Sequence, residues 1–368
     1  MYKEELQLIR KLRHDLHRAA ELSMEEFNTL NIIRGFLKEH TSLKIVDCGN
    51  WMYAVKEGRR DGEAVVLRAE LDALPVPENL DISYASADEG VSHKCGHDGH
   101  CAALCGLALE LEKVETENSI CLLFQPGEET GEGALICKEI LKKEQVRQIY
   151  AFHNLSGFPE GSIVYRPGLT QPASEGLRIT VNGVRSHAAE LEKGKNPAVL
   201  ISELALYADK LNRQNDGTLR LSTVTGIKVG SGDFGISPGD GEICLTLRAE
   251  EESELKQMEQ AVISRAKELA GADSFGLEHS VQDYFPETRN HEPAIKRVLE
   301  AAAQNDFPVI RMDEMFRASE DFGWYLKECQ GAIFYIGNGD EYPALHSSGY
   351  DFNDNILETA IAMFMALI

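Results

Sequence analysis

The chain has 368 residues, 43% hydrophobic and 26% charged, long enough for a large core and more than one domain. A net charge of −23 argues against a phosphate-binding surface, and so against nucleic acid as a partner. The longest apolar run, residues 360–368, is far short of the ~20 residues a membrane span needs, so no membrane partner is expected.

In chain order, Leu6, Ile9, Leu12 and Leu16 recur at helical spacing, as do Phe27, Leu30, Ile33 and Leu37. The pattern turns strand-like near Val46 to Val55. Ala64 to Leu67 is a short continuous apolar run, the mark of a strand buried on both faces. Ile120 to Phe124 and Ile149 to Phe152 repeat it. Helices are predicted between them, a buried one over Cys101 to Leu111 and another over Ala134 to Lys143. Alternating helices and buried strands imply an α/β layer with a mostly parallel mixed sheet. From Ser174 the texture changes to strand-helix-strand-strand-helix-strand, the ferredoxin-like order. Asn196-Pro197 and Ser253 would open its helices. After Arg289 the α/β texture returns, with a helix opened by Pro293, a capping signal at Ser319 before Glu320 and Asp321, and a strand over Gly331 to Gly337. We therefore expect a catalytic α/β domain over residues 1–173 and 290–368, with an α+β lid or dimerisation domain, residues 174–289, inserted into it.

The charged start carries no secretory signal pattern. The eight cysteines then read as reduced cytoplasmic thiols, with Cys48, Cys121, Cys137, Cys244 and Cys329 as core residues.

The chemistry concentrates in His93-Lys94-Cys95-Gly96-His97-Asp98-Gly99-His100. Three imidazoles, a thiol and a carboxylate within eight residues suggest a transition-metal site or a thiol nucleophile beside a base. Asp72, the pair Glu128-Glu129 and His153 each follow a buried run, at the sheet edge where α/β folds place their ligands. Two divalent ions need about three protein ligands each, some of them shared. Cys95, His97, Glu129, His153 and His346 are the candidates. The mixture suits zinc and would accept manganese, nickel or cobalt. Asp72 could orient a ligand imidazole. Neighbours in an irregular turn can face different ways, so one of the two glutamates can bind metal while the other acts as general base.

In order, Arg68 to Pro75, His93 to His100, Phe124-Gln125-Pro126-Gly127-Glu128-Glu129, His153, Ser319 to Phe322 and Leu345-His346-Ser347 resemble the M20 metallopeptidase family, in its amidohydrolase branch. The resemblance implies the same two-domain fold and a binuclear metal site held by Cys95, His97, Glu129, His153 and His346. It also implies Glu128 as general base, supported by Asp72, and hydrolysis of a small N-acyl amino acid. His187 matches a lid histidine that could donate to an oxyanion, and a homodimer through the lid is implied. The chain departs from the family pattern at His17-Arg18-Ala19-Ala20-Glu21, which lacks a proline. It departs again at Glu190-Leu191 after His187, and at Gly235 to Pro238. Two other readings stay open: a thiol hydrolase using Cys95, and a binding protein of the same fold without catalysis. His14, His17, His40, His279 and His291 are expected to be structural or surface residues, with Asp98 and His100 shaping the turn and capping the helix after it.

Overall fold

The computed structural model describes residues 2–60, 62–212 and 218–368. Its main elements, in chain order, are α1 (Lys3–Arg18), α2 (Phe27–His40), β1 (Lys44–Asp47), β2 (Met52–Lys56), β3 (Ala64–Glu70), α3 (His97–Leu111), β4 (Ser119–Gln125), β5 (Val146–Ser156) and β6 (Ile163–Tyr165). These are followed by β7 (Ala173–Asn182), α4 (Ala198–Leu211), β8 (Arg220–Val229), β9 (Asp240–Ala249), α5 (Glu252–Asp273) and β10 (Gly276–Phe285). The last are α6 (Glu292–Gln304), β11 (Val309–Arg311), β12 (Gln330–Gly339) and α7 (Leu357–Leu367). They fall into two compact units, one of residues 1–170, 288–315 and 320–368, the other of residues 171–287 and 316–319.

The first unit is built on a mixed sheet of strand order β1-β2-β4-β3-β5-β12-β6-β11. Its centre is parallel: β4 with β3, β3 with β5, and β5 with β12. Antiparallel partners appear only toward the edges. β3 is buried along its whole length and β4 nearly so, because helices cover both faces, as the unbroken apolar runs require. One face packs on Ile9, Leu12 and Leu16 of α1, on α3 and on α7. The other packs on Ala134, Ile140, Tyr325 and their neighbours. α3 is buried all round. Its lack of an apolar stripe is that of a helix enclosed on every side.

In the second unit β7 to β10 form an antiparallel sheet of order β8-β9-β7-β10. With α4 and α5 this is the split βαβ arrangement. Inward residues Leu177, Ile179 and Val181 alternate with outward ones and pack on Leu204, Leu245 and Val262.

Several local expectations change. Phe27 is 59% exposed, since it opens α2 before the helix reaches the core. The helix expected over Ala134 to Lys143 is two short ones, Gly133–Cys137 and Ile140–Lys143. α5 begins at Glu252, so Ser253 does not cap it. Ser319 caps nothing either, because Glu320 and Asp321 turn inward to a buried arginine and the short helix begins only at Gly323. Cys48 and Cys244 are only partly covered.

Candidate metal centre

The turn before α3 is shaped by Gly96, at φ +96°. A Cβ there would lie 2.5 Å from Asn154 Oδ1 and 2.8 Å from the Tyr350 hydroxyl, so a glycine is needed on both counts. Cys95 then precedes the turn and His97 opens the helix. β5 runs on through His153 to Ser156, so His153 lies within the strand rather than after it. His346 comes from the loop after β12, with its N–H donating to the Lys94 carbonyl at 2.7 Å.

These pieces meet around one sulfur. Cys95 Sγ is 3.3 Å from His153 Nε2 and 3.3 Å from His346 Nε2. Two trios of donor atoms share Cys95: Cys95, His97 and His153, and Cys95, Glu129 and His346, with all donor atoms of a trio within 4.8 Å of one another. Glu129 Oε1 lies 3.7 Å from His346 Nε2 and 3.9 Å from His97 Nε2. Glu128 Oε2 also approaches His97 Nε2, at 3.9 Å.

The ring protons are fixed by their partners. His97 Nδ1 is 2.8 Å from the Asp72 carbonyl oxygen, which can only accept, so Nδ1 carries a proton. His153 Nδ1 likewise donates to the Asn154 carbonyl at 2.8 Å. In the neutral ring each Nε2 then presents a lone pair toward the sulfur, the tautomer a metal ligand needs. His97 Nε2 and Glu129 Oε1 are buried with no protein hydrogen-bond partner. Such orphaned atoms are rare unless something else satisfies them.

Electrostatics point the same way. Burial, with the charges of Glu129 and Glu128, pushes the Cys95 thiol well above its ordinary range. Burial, then Glu320 and Glu129, raises Glu128 well above the usual carboxylate range. Burial, with Asp72 among the charges behind it, pushes Glu129 up to about 7 against the opposing pull of His97. For His97, burial favours the neutral ring, but the hydrogen bond to Asp72 and the charges of Glu70, Asp72 and Glu129 outweigh it and push it up to about 10. The acids of the cluster thus resist ionising, and a cation beside them, whether a proton on His97 Nε2 or a metal ion in its place, would lower them.

Asp72 ties the centre together. Its Oδ1 lies 3.2 Å from His97 Nδ1, and its Oδ2 accepts from Ser23 Oγ and from the Glu129 N–H, each at 2.8 Å. The Glu128-Glu129 turn leaves β4 through Gly127, at φ +56°. Glu26 Oε1 accepts the Gly127 N–H at 2.7 Å. His187 belongs to the second unit, where it is exposed on the two-residue strand Ser186–His187 and its Nδ1 accepts from Ala189 N–H.

Two charged networks flank the centre. Arg68 reaches Glu70, Glu320, Asp321 and Gln125, all buried. Glu70 also holds His100 at 2.7 Å, and His100 Nε2 lies 2.7 Å from Asn154 Oδ1. His100 therefore does more than shape its turn: it links β3 to β5. On the far side of the turn His17 is fully buried between Asp98 and Glu78, at 2.8 Å from each. Asp98 does accept the Gly99 N–H at 2.9 Å at the start of α3, yet its other oxygen serves His17 and faces Arg13. Ser23 and Glu26 went unassigned in the sequence, where nothing local marks them, and Arg68 and Glu70 enter it only as part of the Arg68 to Pro75 motif. An arginine inside a buried strand was the one available signal.

The model of peptidase family M20/M25/M40 matches residues 66–368. The chain belongs to this family. An N-acetyl-L-cysteine deacetylase of Bacillus subtilis strain 168 is 30% identical over 348 residues, covering 93% of this chain and 83% of that protein. A hippurate hydrolase of Campylobacter jejuni is 28% identical, over 97% and 94% of the two chains. The crystal structure of a dinuclear metal binding peptidase from the M20 family, from Bacillus subtilis, superposes with a TM-score of 0.83 at 24% identity, covering 100% of this chain and 98% of that one. The M20 fold of this chain thus extends over its whole length. No helix among the described residues is long and apolar enough to cross a membrane.

Proposed function

We propose that this M20 protein is a metal-dependent amidohydrolase that cleaves N-acyl amino acids. The observation that carries this is the set of unspent donors around Cys95. Two ring nitrogens have their tautomers fixed by backbone carbonyls, and a carboxylate oxygen and a ring nitrogen are buried without partners. Cys95, His97 and His153 would hold one divalent ion, and Cys95, Glu129 and His346 a second. The donor chemistry favours zinc, and manganese, nickel or cobalt would fit the same set. The relatives named as deacetylases and a hippurate hydrolase support an acyl-amino-acid substrate.

When bound, such ions supply acidity to a water molecule and polarise an amide carbonyl. The protein's own residues do the rest. Asp72 holds His97 by its Nδ1–H and Glu129 by its backbone N–H, which fixes two donors with one carboxylate. Glu128 takes the proton of the attacking water and hands it to the departing nitrogen. Its raised affinity for a proton suits the second half of that cycle, and neighbouring cations would lower it for the first. His187 is the oxyanion donor that the family resemblance implies. His187→Ala should lower kcat on the order of 100-fold if the role is right.

A thiol hydrolase is disfavoured by the environment of Cys95. A nucleophilic cysteine needs its thiolate stabilised, and here burial and two acids oppose it. We also infer a homodimer in which the edge strand β8, with Val224 and Ile227 exposed, pairs with a second copy. Sedimentation of Ile227→Lys, monomeric where the parent is dimeric, tests it. The free thiols suit a reducing compartment, and we assign the protein to the cytoplasm.

The deciding experiment offers N-acetyl and N-benzoyl amino acids to the protein before and after chelation, with metal restored. Turnover should vanish and return. Glu128→Gln should keep its metal and lose about 100- to 10,000-fold in kcat. Turnover that survives chelation and stops on alkylation of Cys95 would establish the thiol hydrolase instead. If metal-loaded protein turns over nothing, the binding-protein alternative stands.

A further inference from the structure

The turn carrying Glu128 and Glu129 is fixed partly from within and partly from outside. Its carbonyls are used internally: Gly127 O accepts from Glu132 N–H at 3.3 Å and Gly133 N–H at 3.1 Å, and Glu128 O accepts from Gly131 N–H at 2.9 Å. Of the N–H groups at its start, that of Gly127 points toward the segment of residues 21–26 and that of Glu129 toward Asp72. Gly127 N–H donates to Glu26 Oε1 at 2.7 Å, and Glu129 N–H donates to Asp72 Oδ2, which Ser23 Oγ also engages. Glu128 lies between these two anchored amides.

The segment making these contacts is itself fixed. Glu21 O accepts the Ala73 N–H at 2.8 Å, which ties it to the end of β3. Glu26 is 2% exposed, and its carbonyl accepts the Leu30 N–H as the first bond of α2. Met24 closes the space beside Gly127, where an added Cβ would come within 2.6 Å of Met24 Sδ. Gly127 therefore has both its conformation and its neighbour set by this strap. Without the Glu26 oxygen, its N–H would be a buried donor with nothing to receive it.

We propose that Glu26 is a positioning residue for the Glu128-Glu129 turn, acting as the hydrogen-bond acceptor of the Gly127 N–H and so setting the aim of the Glu128 carboxylate. The proposal rests on the amidohydrolase reading for its effect on turnover. What the turn needs from Glu26 is an oxygen at that distance rather than a charge. Glu26→Gln supplies the oxygen, Glu26→Leu removes it, and Glu26→Asp keeps the charge while withdrawing it by one methylene.

The experiment measures kcat, KM and metal content for the three variants, and hydrogen exchange at the Gly127 amide in metal-free protein. Glu26→Leu should lower kcat about 100-fold, the scale for a catalytic group displaced by about 1 Å, with KM within about threefold. Glu26→Asp should lose at least about tenfold and Glu26→Gln less than about threefold. Exchange at Gly127 should quicken by about tenfold or more in the Leu and Asp variants and not in the Gln variant. Should Glu26→Leu fail to fold, the contrast between Asp and Gln decides the matter. An unchanged kcat in Glu26→Asp or a folded Glu26→Leu, a Gln variant as impaired as the Asp one, or unaltered Gly127 exchange each overturns the proposal. Absence of wild-type turnover on any acyl amino acid overturns the amidohydrolase reading, and this proposal with it. Wild-type turnover with unimpaired Glu26 variants overturns the proposal alone.

Discussion

Replacing Arg68 by Met removes the guanidinium that Glu70, Glu320 and Asp321 share. The guanidinium is fully buried, 2.9 Å from Glu320 Oε1, 2.7 Å from Asp321 Oδ1 and in contact with Glu70. Its Nε donates to Gln125 Oε1 at 2.9 Å. Met fills most of the space and restores no charge. Neutral donors remain: Ala134 N–H and Gln125 Nε2 for Asp321, and Phe322 N–H for Glu320. Removing one partner of a buried ion pair costs about 3–5 kcal/mol. The acids can limit the loss by taking protons. Burial, with Glu320 opposing Arg68, already pushes Asp321 up to about 8. We expect a loss of about 4 kcal/mol, or about 8–16 °C in Tm for a domain of this size. The pH dependence follows from the sign. Arg68 holds Glu70 well below the usual carboxylate range and opposes the rise of Asp321, so without it both folded-state pKa values move up and the folded variant binds more protons than the folded parent as pH falls. The deficit should be full above pH 8 and shrink as pH falls toward 5. Melting curves of parent and Arg68→Met, metal-loaded and metal-free, measure it at both pH values. A Tm within about 2 °C of the parent at pH 8, or an equal deficit at pH 5, would refute the reasoning.

Four further outcomes are expected. Asp72→Ala should weaken metal affinity about 10- to 100-fold in competition with a chelating dye, since it frees both His97 and Glu129; unchanged affinity would remove Asp72 from its role. His17 is raised to about 9, because its bonds to Asp98 and Glu78 outweigh burial, so its contribution is full below pH 6.5 and lost as pH rises through 9. In urea unfolding the gap between parent and His17→Gln should therefore close from about 3 kcal/mol near pH 6 to almost nothing near pH 10, and a gap that widens contradicts this. Gly96→Ala should lose at least about 1–2 kcal/mol from the left-handed backbone alone, more from the clash with Asn154, and bind metal poorly by calorimetry. Adding zinc at about 100 times its Kd should raise stability by about 2.7 kcal/mol, and Cys95→Ser should diminish that gain.

Much of the first unit was legible because buried parallel strands leave unbroken apolar runs. Val65 to Leu67, Ile120 to Phe124 and Ile149 to Phe152 could be placed from that pattern alone, as could α3. The turn at Cys95 to His97 was legible from ligand density. What the pattern could not carry was pairing across long separations. Nothing local to Arg68 announces Asp321, and nothing near His17 announces Asp98, so Asp98 and His100 looked like turn formers when each also bridges elements. Ser319 misled for the same reason: Glu320 and Asp321 resemble the acidic first turn of a helix until the buried arginine claims them. His153 closes an apolar run in the sequence and so reads as a strand end, whereas its ring faces the cluster from within β5.

The donor that completes the second trio, His346, sits on a backbone hooked to Lys94. It is also the last of the five to be synthesised, some 250 residues after Cys95. During synthesis the thiol and its first two imidazoles exist for a long interval without it. A nascent or truncated chain that stops short of His346 therefore lacks the trio of Cys95, Glu129 and His346. If that trio holds the second ion, as proposed, its capture waits until the loop after β12 has been made.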